Sequence, residues 1–279
     1  MHACCLIHDS WFLIFESWRG GALSSRFKPH GKRSARMGQI LLVRHGQASF
    51  GSNNYDQLSS HGQAQAGMLG QWFAQRGQKF DLVVTGSMAR HRQTAQACMA
   101  ELGNAPLPAD WHTDAGFNEY DHDEILHRHW PQFAEPGEVR RFLAETDNGN
   151  RVFQQIFQDA MARWMDGQHD AEYREPWPVF RQRCVSALRR LSEAATASRT
   201  IVVFTSGGTI ATLCQHVLRM PDPQVFELNW TLVNSAVTKL YCRSSARADA
   251  GGAIDLSLGY LNNYTHLEVL GKHDAVTYR

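Results

Sequence analysis

Short apolar runs recur along the chain, separated by segments whose apolar residues follow helical spacing. The runs at 39–43, 80–84 and 200–204 are mostly continuous rather than alternating, which is typical of strands buried on both faces of a sheet. The predicted strands are residues 39–43, 80–84, 200–204, 236–242 and 254–258.

The segments between these runs repeat apolar residues at helical spacing, which predicts amphipathic helices. The predicted helices are residues 59–76, 88–102 and 209–218, with further helical stripes over 152–165 and 180–191. Alternating strands and helices favour an α/β fold of three layers, a mostly parallel sheet flanked by helices. Residues 120–177 interrupt the alternation, which predicts a helical insertion.

The composition is that of a globular protein, with 43% hydrophobic and 20% charged residues in a chain of 279. A chain of this length buries roughly three-quarters of its surface on folding, which is enough for a core without disulfides. No apolar run approaches the ~18 residues of a membrane span. Collagen-like, coiled-coil and wholly disordered proteins are therefore excluded.

Charge is unevenly placed although the net charge is only +1. Residues 1–36 carry six Lys or Arg and two acids, a balance of +4 that leaves −3 on the remainder. A mildly acidic body has no general attraction for nucleic acid or membranes, so an anion needs a local pocket. Residues 1–36 also lack periodicity, and we interpret them as an extension that is disordered or lies upstream of a natural start at Met37. Residues 37–279 then form the folded domain.

The cysteines form no C-x-x-C pair, and most lie in predicted helices or strands. This pattern favours buried, reduced thiols and hence a cytoplasmic protein. The six residues are Cys4, Cys5, Cys98, Cys184, Cys214 and Cys242.

Polar, catalytically capable residues follow three of the predicted strands. These segments are Arg44-His45-Gly46-Gln47, Gly86-Ser87-Met88-Ala89-Arg90 and Thr205-Ser206-Gly207-Gly208. Ligands of open α/β sheets bind at the carboxyl ends of strands, so we expect the three segments to converge. Arginine forks and a helix N-terminus suit a phosphoryl group, and a neutral imidazole can attack its phosphorus.

Several segments match a known pattern. They are Leu42-Val43-Arg44-His45-Gly46-Gln47, the helix entry from Leu58 to Ala66, Arg90-His91-Arg92-Gln93-Thr94-Ala95 (compare R-A-x-Q-T-A) and Phe117-Asn118-Glu119. On these segments the chain resembles the histidine phosphatase superfamily, the phosphoglycerate-mutase-like group, over about residues 37–270. The first and third segments together are fairly specific.

The resemblance implies a role for each matching residue. His45 is expected to be the nucleophile, Arg44 and Arg90 to hold the phosphoryl oxygens, and Glu119 to serve as acid and then base. The substrate-binding residues are expected to be Arg44, Arg90, Gln47, Ser206 and Gly207. The resemblance also implies that the insertion over residues 120–177 covers the active site as a lid that selects substrates.

The expected activity is therefore that of a metal-independent phosphatase of the histidine type, without a cofactor, and a mutase is less expected. Its partner would be a small phosphorylated substrate or a phosphoprotein. Neither a nucleic acid nor a membrane is expected as a partner, and the oligomeric state is left open.

Ser206 departs from the family pattern, which usually has a second histidine there, in a segment like S-H-G-G. A hydroxyl donates one hydrogen bond but carries no charge, and losing one such donor typically costs about 10²–10³ in rate. A slow or specialised phosphatase is therefore expected, with a pseudophosphatase that binds phosphorylated ligands as an alternative. Ser206→His is expected to preserve or raise activity if the pocket accommodates the ring.

A serine hydrolase is a second alternative. Ser206 lies between a predicted strand and helix, as a nucleophile elbow requires. Gly208 fits the elbow pattern but Phe204 does not. Asp255 and His266 follow in the right order for a triad.

The roles of several side chains near the motifs have alternatives. Asp121 and Glu124 are alternatives to Glu119 as the acid. One of three residues after the first motif could bond the phosphoryl group: Ser49, Ser52 or Asn53. Three nearby histidines are interpreted as surface residues rather than metal ligands: His122, His127 and His129.

Overall fold

The computed structural model describes residues 37–49, 56–103, 105–195, 199–244, 254–271 and 274–278. The predictions for residues 1–36, which include Cys4 and Cys5, lie outside the described residues. So do those for Ser52 and Asn53.

The described strands form one mixed sheet. They are β1 (Gly38–Arg44), β2 (Leu82–Thr85), β3 (His112–Thr113), β4 (Thr200–Thr205), β5 (Val237–Ser244) and β6 (Ile254–Asn263). Their order is β3-β2-β4-β1-β5-β6, in which the first four are parallel, while β5 runs antiparallel to β1 and β6 antiparallel to β5. The predicted α/β class with a mostly parallel sheet is confirmed.

Helices connect and cover these strands. In the part of the chain that the structure describes they are α1 (Ser60–Gln75), α2 (Ala89–Met99), α3 (His122–His129), α4 (Glu138–Glu145), α5 (Gly149–Met165), α6 (Trp177–Ala195), α7 (Gly207–Leu218), α8 (Asp222–Thr231) and α9 (Thr265–Leu270). None of them is long and apolar enough to cross a membrane.

The apolar side chains of each central strand point alternately to two cores, because successive residues of a strand face opposite sides of the sheet. Leu41 and Val43 of β1 join one core with α1 and α2, whereas Ile40 and Leu42 join the other with α6 and α7. Burial on both faces explains the continuous apolar runs in the sequence and makes the molecule three-layered.

Residues 120–177 contain helices α3, α4 and α5, so the predicted helical content of this stretch is observed. Trp164 of α5 is 1% exposed and its ring centroid lies 5.3 Å from that of Tyr120. Helix α5 therefore packs against Tyr120, in the loop that precedes α3. Its role as a lid remains a prediction.

The described cysteines are all buried and free: Cys98, Cys184, Cys214 and Cys242. Burial raises the pKa of Cys242 to about 11 and that of Cys184 to about 12. Such thiols are protonated and unreactive at neutral pH.

His266 is a buried histidine at the start of α9, only 1% exposed, and its Nε2 lies 2.8 Å from Ser235 Oγ. Burial lowers its pKa from 6.5 to about 4. The unfolded chain therefore binds more protons than the folded chain between these values. Stability contributed by the neutral ring is present above pH 6.5 and is lost as the pH falls towards 4.

We expect His266→Gln to lose about 2 kcal/mol less free energy of unfolding than the parent between pH 7.5 and pH 5, because glutamine does not titrate. Urea unfolding at the two pH values measures this difference. His112→Gln, at an exposed histidine, is the matched control and should keep the full pH dependence. If His266→Gln loses as much free energy of unfolding as the parent between pH 7.5 and pH 5, the low pKa of His266 is not a source of the pH dependence of stability.

Candidate active site

The carboxyl ends of β1, β2 and β4 meet at one edge of the sheet, because β4 pairs in parallel with both neighbours. The His45 amide donates to Thr205 O at 2.8 Å, and the Gly86 amide donates to Phe204 O at 3.1 Å. The segments that follow the three strands are thereby brought together, as the sequence predicts.

His45 is 6% exposed and follows the last residue of β1. Its Nδ1 lies 2.7 Å from the carbonyl oxygen of Gly46. A carbonyl can only accept, so Nδ1 carries the proton and Nε2 keeps its lone pair. Burial, followed by the charges of Arg90 and Arg44, holds the pKa of His45 well below its ordinary value of 6.5.

The main chain around His45 is fixed from several sides. Its carbonyl oxygen accepts from the amide of Ser235 and from Asn234 Nδ2, each at 3.2 Å. The Gly46 amide donates to Thr94 Oγ1 at 3.1 Å. A Cβ on Gly46 would lie 2.2 Å from the carbonyl oxygen of Gly62, so only glycine fits at this position.

Two arginines flank the imidazole. Arg44 ends β1 and donates through Nη1 to the carbonyl oxygen of Leu232. Arg90 lies in the first turn of α2, is 3% exposed and forms an ion pair with Asp56 at 2.9 Å. Thr94 Oγ1 of α2 accepts from the Gly46 amide and donates to the carbonyl oxygen of Arg90, which places Arg90 near His45, while Arg44 directly precedes His45 in the chain.

Glu119 reaches the same edge of the sheet. Its Oε2 accepts from the amide of Gly208 at 3.0 Å, in the first turn of α7. The alternative acids face elsewhere: Asp121 caps α3 and bonds Arg174 at 2.6 Å, and Glu124 also contacts Arg174. Of these three carboxylates, Glu119 is therefore the one beside the segment that follows β4.

The loop carrying Glu119 is held by side chains that the sequence analysis missed. Arg183 of α6 donates to the carbonyl oxygen of Asn118 at 3.1 Å and is itself held by Glu175 at 2.7 Å. Thr209 Oγ1 donates to the same carbonyl at 2.9 Å. These contacts fix the direction in which Glu119 leaves the main chain.

Ser206 lies at the start of α7 and is fully buried. Its Oγ is 2.6 Å from Nε2 of His91, a fully buried residue of α2 whose ring centroid lies 5.9 Å from that of His45. His91 was not among the predicted site residues, although it departs from the R-A-x-Q-T-A pattern, which has alanine at this position.

The triad of Ser206, Asp255 and His266 is wrong. His266 bonds Ser235 instead. Asp255 lies opposite Arg243 in the register of β6 and β5. The neighbouring residue Cys242 lies opposite Gly38, the first residue of β1, so Asp255 is at the other end of the sheet from Ser206. His266 and Asp255 therefore do not assemble around Ser206.

The remaining predicted binding residues lie at the rim of this edge. Gln47 Oε1 accepts from Ser59 Oγ at 3.1 Å at the start of α1. A Cβ on Gly207 would lie 3.3 Å from Arg44 Nε, so Gly207 packs beside that guanidinium. Ser49 donates its amide to Gln57 O. Their substrate-binding roles remain predictions.

The described residues contain no group of three or more His, Cys, Asp or Glu side chains arranged to hold a metal ion. His122 is engaged with Asp123 at 3.4 Å, at the start of α3.

Comparison with known proteins identifies relatives of this fold. A family model described as histidine phosphatase superfamily (branch 1) matches residues 40–150 and 143–248. A 2,3-bisphosphoglycerate-dependent phosphoglycerate mutase of Mesorhizobium japonicum is 30% identical over 92 residues, which are 31% of this chain and 44% of that protein. The match thus spans less than half of that relative's length.

Two solved structures share the architecture. A phosphoglycerate mutase from Bacillus anthracis gives a TM-score of 0.55 at 14% identity, covering 84% of this chain and 96% of its own. A mycobacterial glucosyl-3-phosphoglycerate phosphatase with inorganic phosphate gives 0.52 at 18% identity, covering 82% and 99%. At these identities the likeness shows the fold alone.

The family match spans most of the described chain and includes the segments that form the site. It supports an enzyme with an activity of the phosphatase or mutase type. The chain belongs to the histidine phosphatase superfamily.

Proposed function

We propose that this protein is a metal-independent phosphatase that hydrolyses a phosphomonoester through a phosphohistidine on His45. The observation that carries the proposal is the state of the His45 ring. Its Nδ1 is occupied by Gly46 O, its pKa is held below the ordinary value, and two arginines lie beside it. A neutral imidazole with a free Nε2 lone pair is the form that attacks phosphorus.

In the first step, Nε2 of His45 forms a bond to phosphorus as the bond from phosphorus to the ester oxygen breaks. Protonated Glu119 gives its proton to the leaving oxygen, so the product departs as an alcohol. Arg44 and Arg90 pair with the phosphoryl oxygens and offset the charge that develops on them.

In the second step, a water molecule attacks the phosphohistidine. The Glu119 carboxylate takes one proton from the water as the new oxygen–phosphorus bond forms. The bond between phosphorus and Nε2 breaks, which returns neutral His45 and releases inorganic phosphate. Glu119 ends protonated, ready for the next turnover.

Hydrolysis fits this site better than transfer to a second alcohol. A mutase must keep the phosphohistidine intact until the product has turned around, which favours the fullest stabilisation of the phosphoryl group. A serine at position 206 offers less charge than an imidazole would. The named substrates of the two solved relatives are phosphate esters of small molecules, so we propose a small phosphorylated metabolite as substrate, in the cytoplasm.

A pseudophosphatase is the weaker alternative. Binding a phosphate requires the arginines alone, whereas this site also fixes the tautomer of His45 and holds Glu119 against the start of α7. A binder gains nothing from either feature.

We expect the chain to release phosphate from p-nitrophenyl phosphate in EDTA, and His45→Ala to lower kcat/KM by at least ~10³-fold, because no other group forms the covalent intermediate. Quenching in alkaline SDS with labelled substrate should trap a phosphate on His45 that is stable in base and released by acid. His112→Ala, at an exposed histidine, is the matched control and should retain the parent activity. Loss of activity in EDTA, or full activity in His45→Ala, would refute the mechanism.

We expect Glu119→Gln to discriminate between leaving groups. An alkyl phosphate such as glycerol 2-phosphate needs a proton on its leaving oxygen, so its kcat/KM should fall by about 10²–10⁴. p-Nitrophenolate leaves without a proton, so p-nitrophenyl phosphate should lose far less. Asp121→Asn, which alters a carboxylate bound to Arg174, is the control and should affect the two substrates equally. Equal losses in Glu119→Gln would remove Glu119 from the role of acid.

A further inference from the structure

Two departures from the family pattern meet in space at the active site. His91 stands where the R-A-x-Q-T-A pattern has alanine, and Ser206 stands where a segment like S-H-G-G has histidine. They are 115 positions apart in the chain, yet Nε2 of His91 lies 2.6 Å from Oγ of Ser206. The chain thus keeps a second imidazole at this edge of the sheet but supplies it from α2.

The surroundings fix the ring of His91. It is fully buried, and its Nδ1 has no hydrogen-bond partner among the described residues. A Cβ on Gly86 would lie 2.2 Å from Nδ1, so the ring packs directly against the main chain that follows β2. Burial and the charge of Arg90 hold its pKa well below 6.5, so the ring is neutral.

A neutral imidazole carries one proton, which must be on Nδ1 or on Nε2. A proton on Nδ1 would be a buried N–H without an acceptor, and such orphaned donors are rare and costly. A proton on Nε2 instead donates to Ser206 Oγ. The hydroxyl of Ser206 is then an acceptor towards His91, and its own hydrogen is free to point elsewhere.

The main chain on either side of Ser206 contacts two residues of the proposed mechanism. Its side chain makes no capping hydrogen bond with α7, although it lies at the N-cap. Its neighbours along the chain are Thr205, whose carbonyl holds the His45 amide, and Gly207, which packs beside Arg44. The hydroxyl is therefore carried by a main chain that contacts both the proposed nucleophile and one of the arginines proposed to bind the phosphoryl group.

We propose that His91 is a positioning residue that orients the Ser206 hydroxyl as a hydrogen-bond donor to the transferring phosphoryl group. The inference rests on the proposed phosphatase mechanism and adds a donor to it. His91 and Ser206 act as one unit, in which the imidazole sets the direction of the hydroxyl and only the hydroxyl contacts the substrate. The pair thereby offsets part of the loss caused by the missing histidine at position 206.

The decisive experiment is a double-mutant cycle. We expect His91→Leu and Ser206→Ala each to lower kcat by about 10²-fold, with KM changing by less than about threefold. The double variant should be no slower than Ser206→Ala, because His91 acts only through Ser206. Alkyl and aryl phosphates should lose the same factor, unlike the losses in Glu119→Gln. Additive losses, or a His91→Leu enzyme with the parent kcat, would overturn the proposal.

Two further variants guard against loss of the fold. His91→Gln keeps an N–H near the position of Nε2 and should recover at least a tenth of the parent kcat. Gly86→Ala leaves both partners in place but pushes on the ring, and it should lower kcat as His91→Leu does. Thermal melting reports folding in each case. If the folded His91→Gln enzyme is as slow as His91→Leu and the folded Gly86→Ala enzyme keeps the parent kcat, His91 does not orient the hydroxyl.

The labelling experiment distinguishes failure of the proposed phosphatase mechanism from failure of the positioning role of His91. Absence of phosphohistidine in the parent enzyme defeats the proposed function itself. Phosphohistidine in the parent together with an unaffected His91→Leu enzyme defeats only the positioning role. An acid-stable phosphate on Ser206 would make His91 the base for a serine nucleophile and would overturn both.

Ser206→His is expected to preserve or raise activity only if the pocket accommodates the ring, and Nε2 of His91 already lies 2.6 Å from Ser206 Oγ. We expect Ser206→His alone to be slower than Ser206→Ala, owing to overpacking. The exchange variant His91→Ala with Ser206→His should be at least about tenfold faster than Ser206→His, since it leaves room for the ring. Steady-state kinetics with p-nitrophenyl phosphate measures both. An exchange variant no faster than Ser206→His would show that the two positions do not share one imidazole site.

Discussion

A buried, neutral imidazole whose pKa is lowered by two neighbouring arginines is the arrangement on which the rest of this site depends. Protonation of His45 would place a third positive charge beside Arg44 and Arg90 in a buried setting, which is unfavourable. Burial is the largest cause of the low pKa of His45, and the arginine charges that add to it are the ones suited to hold a phosphoryl group. The two arginines therefore serve both nucleophile activation and anion binding, and the hydrogen bond to the Gly46 carbonyl selects the tautomer.

The central strands and the helices that cover them could be predicted from the sequence, because burial on both faces leaves a continuous apolar run. The run predicted at 39–43 is observed as β1, Gly38–Arg44, and that at 200–204 as β4, Thr200–Thr205. β3 was not predicted, since it consists of two exposed residues without a pattern. α8 was missed for a related reason, because only Val225 among its residues is buried.

Among the site residues, those at strand ends could be placed from the sequence, since parallel strands deliver their ends to one edge. Arg44 and His45 are of this kind, and Arg90 follows the end of β2 in the first turn of α2. The contact of His91 with Ser206 could not be placed, because it depends on the distance between α2 and α7 across β2 and β4. The predicted triad of Ser206, Asp255 and His266 was wrong because the order of residues in the chain does not fix how strands pair. The pairing of β5 with β6 places Asp255 at the opposite end of the sheet from Ser206.

Close packing explains why the two departures occur together. The space bounded by Gly86, α2 and the start of α7 holds one imidazole, and protein interiors tolerate little overpacking. A ring at position 91 requires a small residue at 206, and the absence of a side chain at Gly86 leaves the ring room on its other side. A serine there meets the steric demand and also retains a hydroxyl. An alanine would satisfy packing equally well but would leave Nε2 of His91 without its partner, so the presence of serine points to a requirement for the hydrogen bond and not only for space.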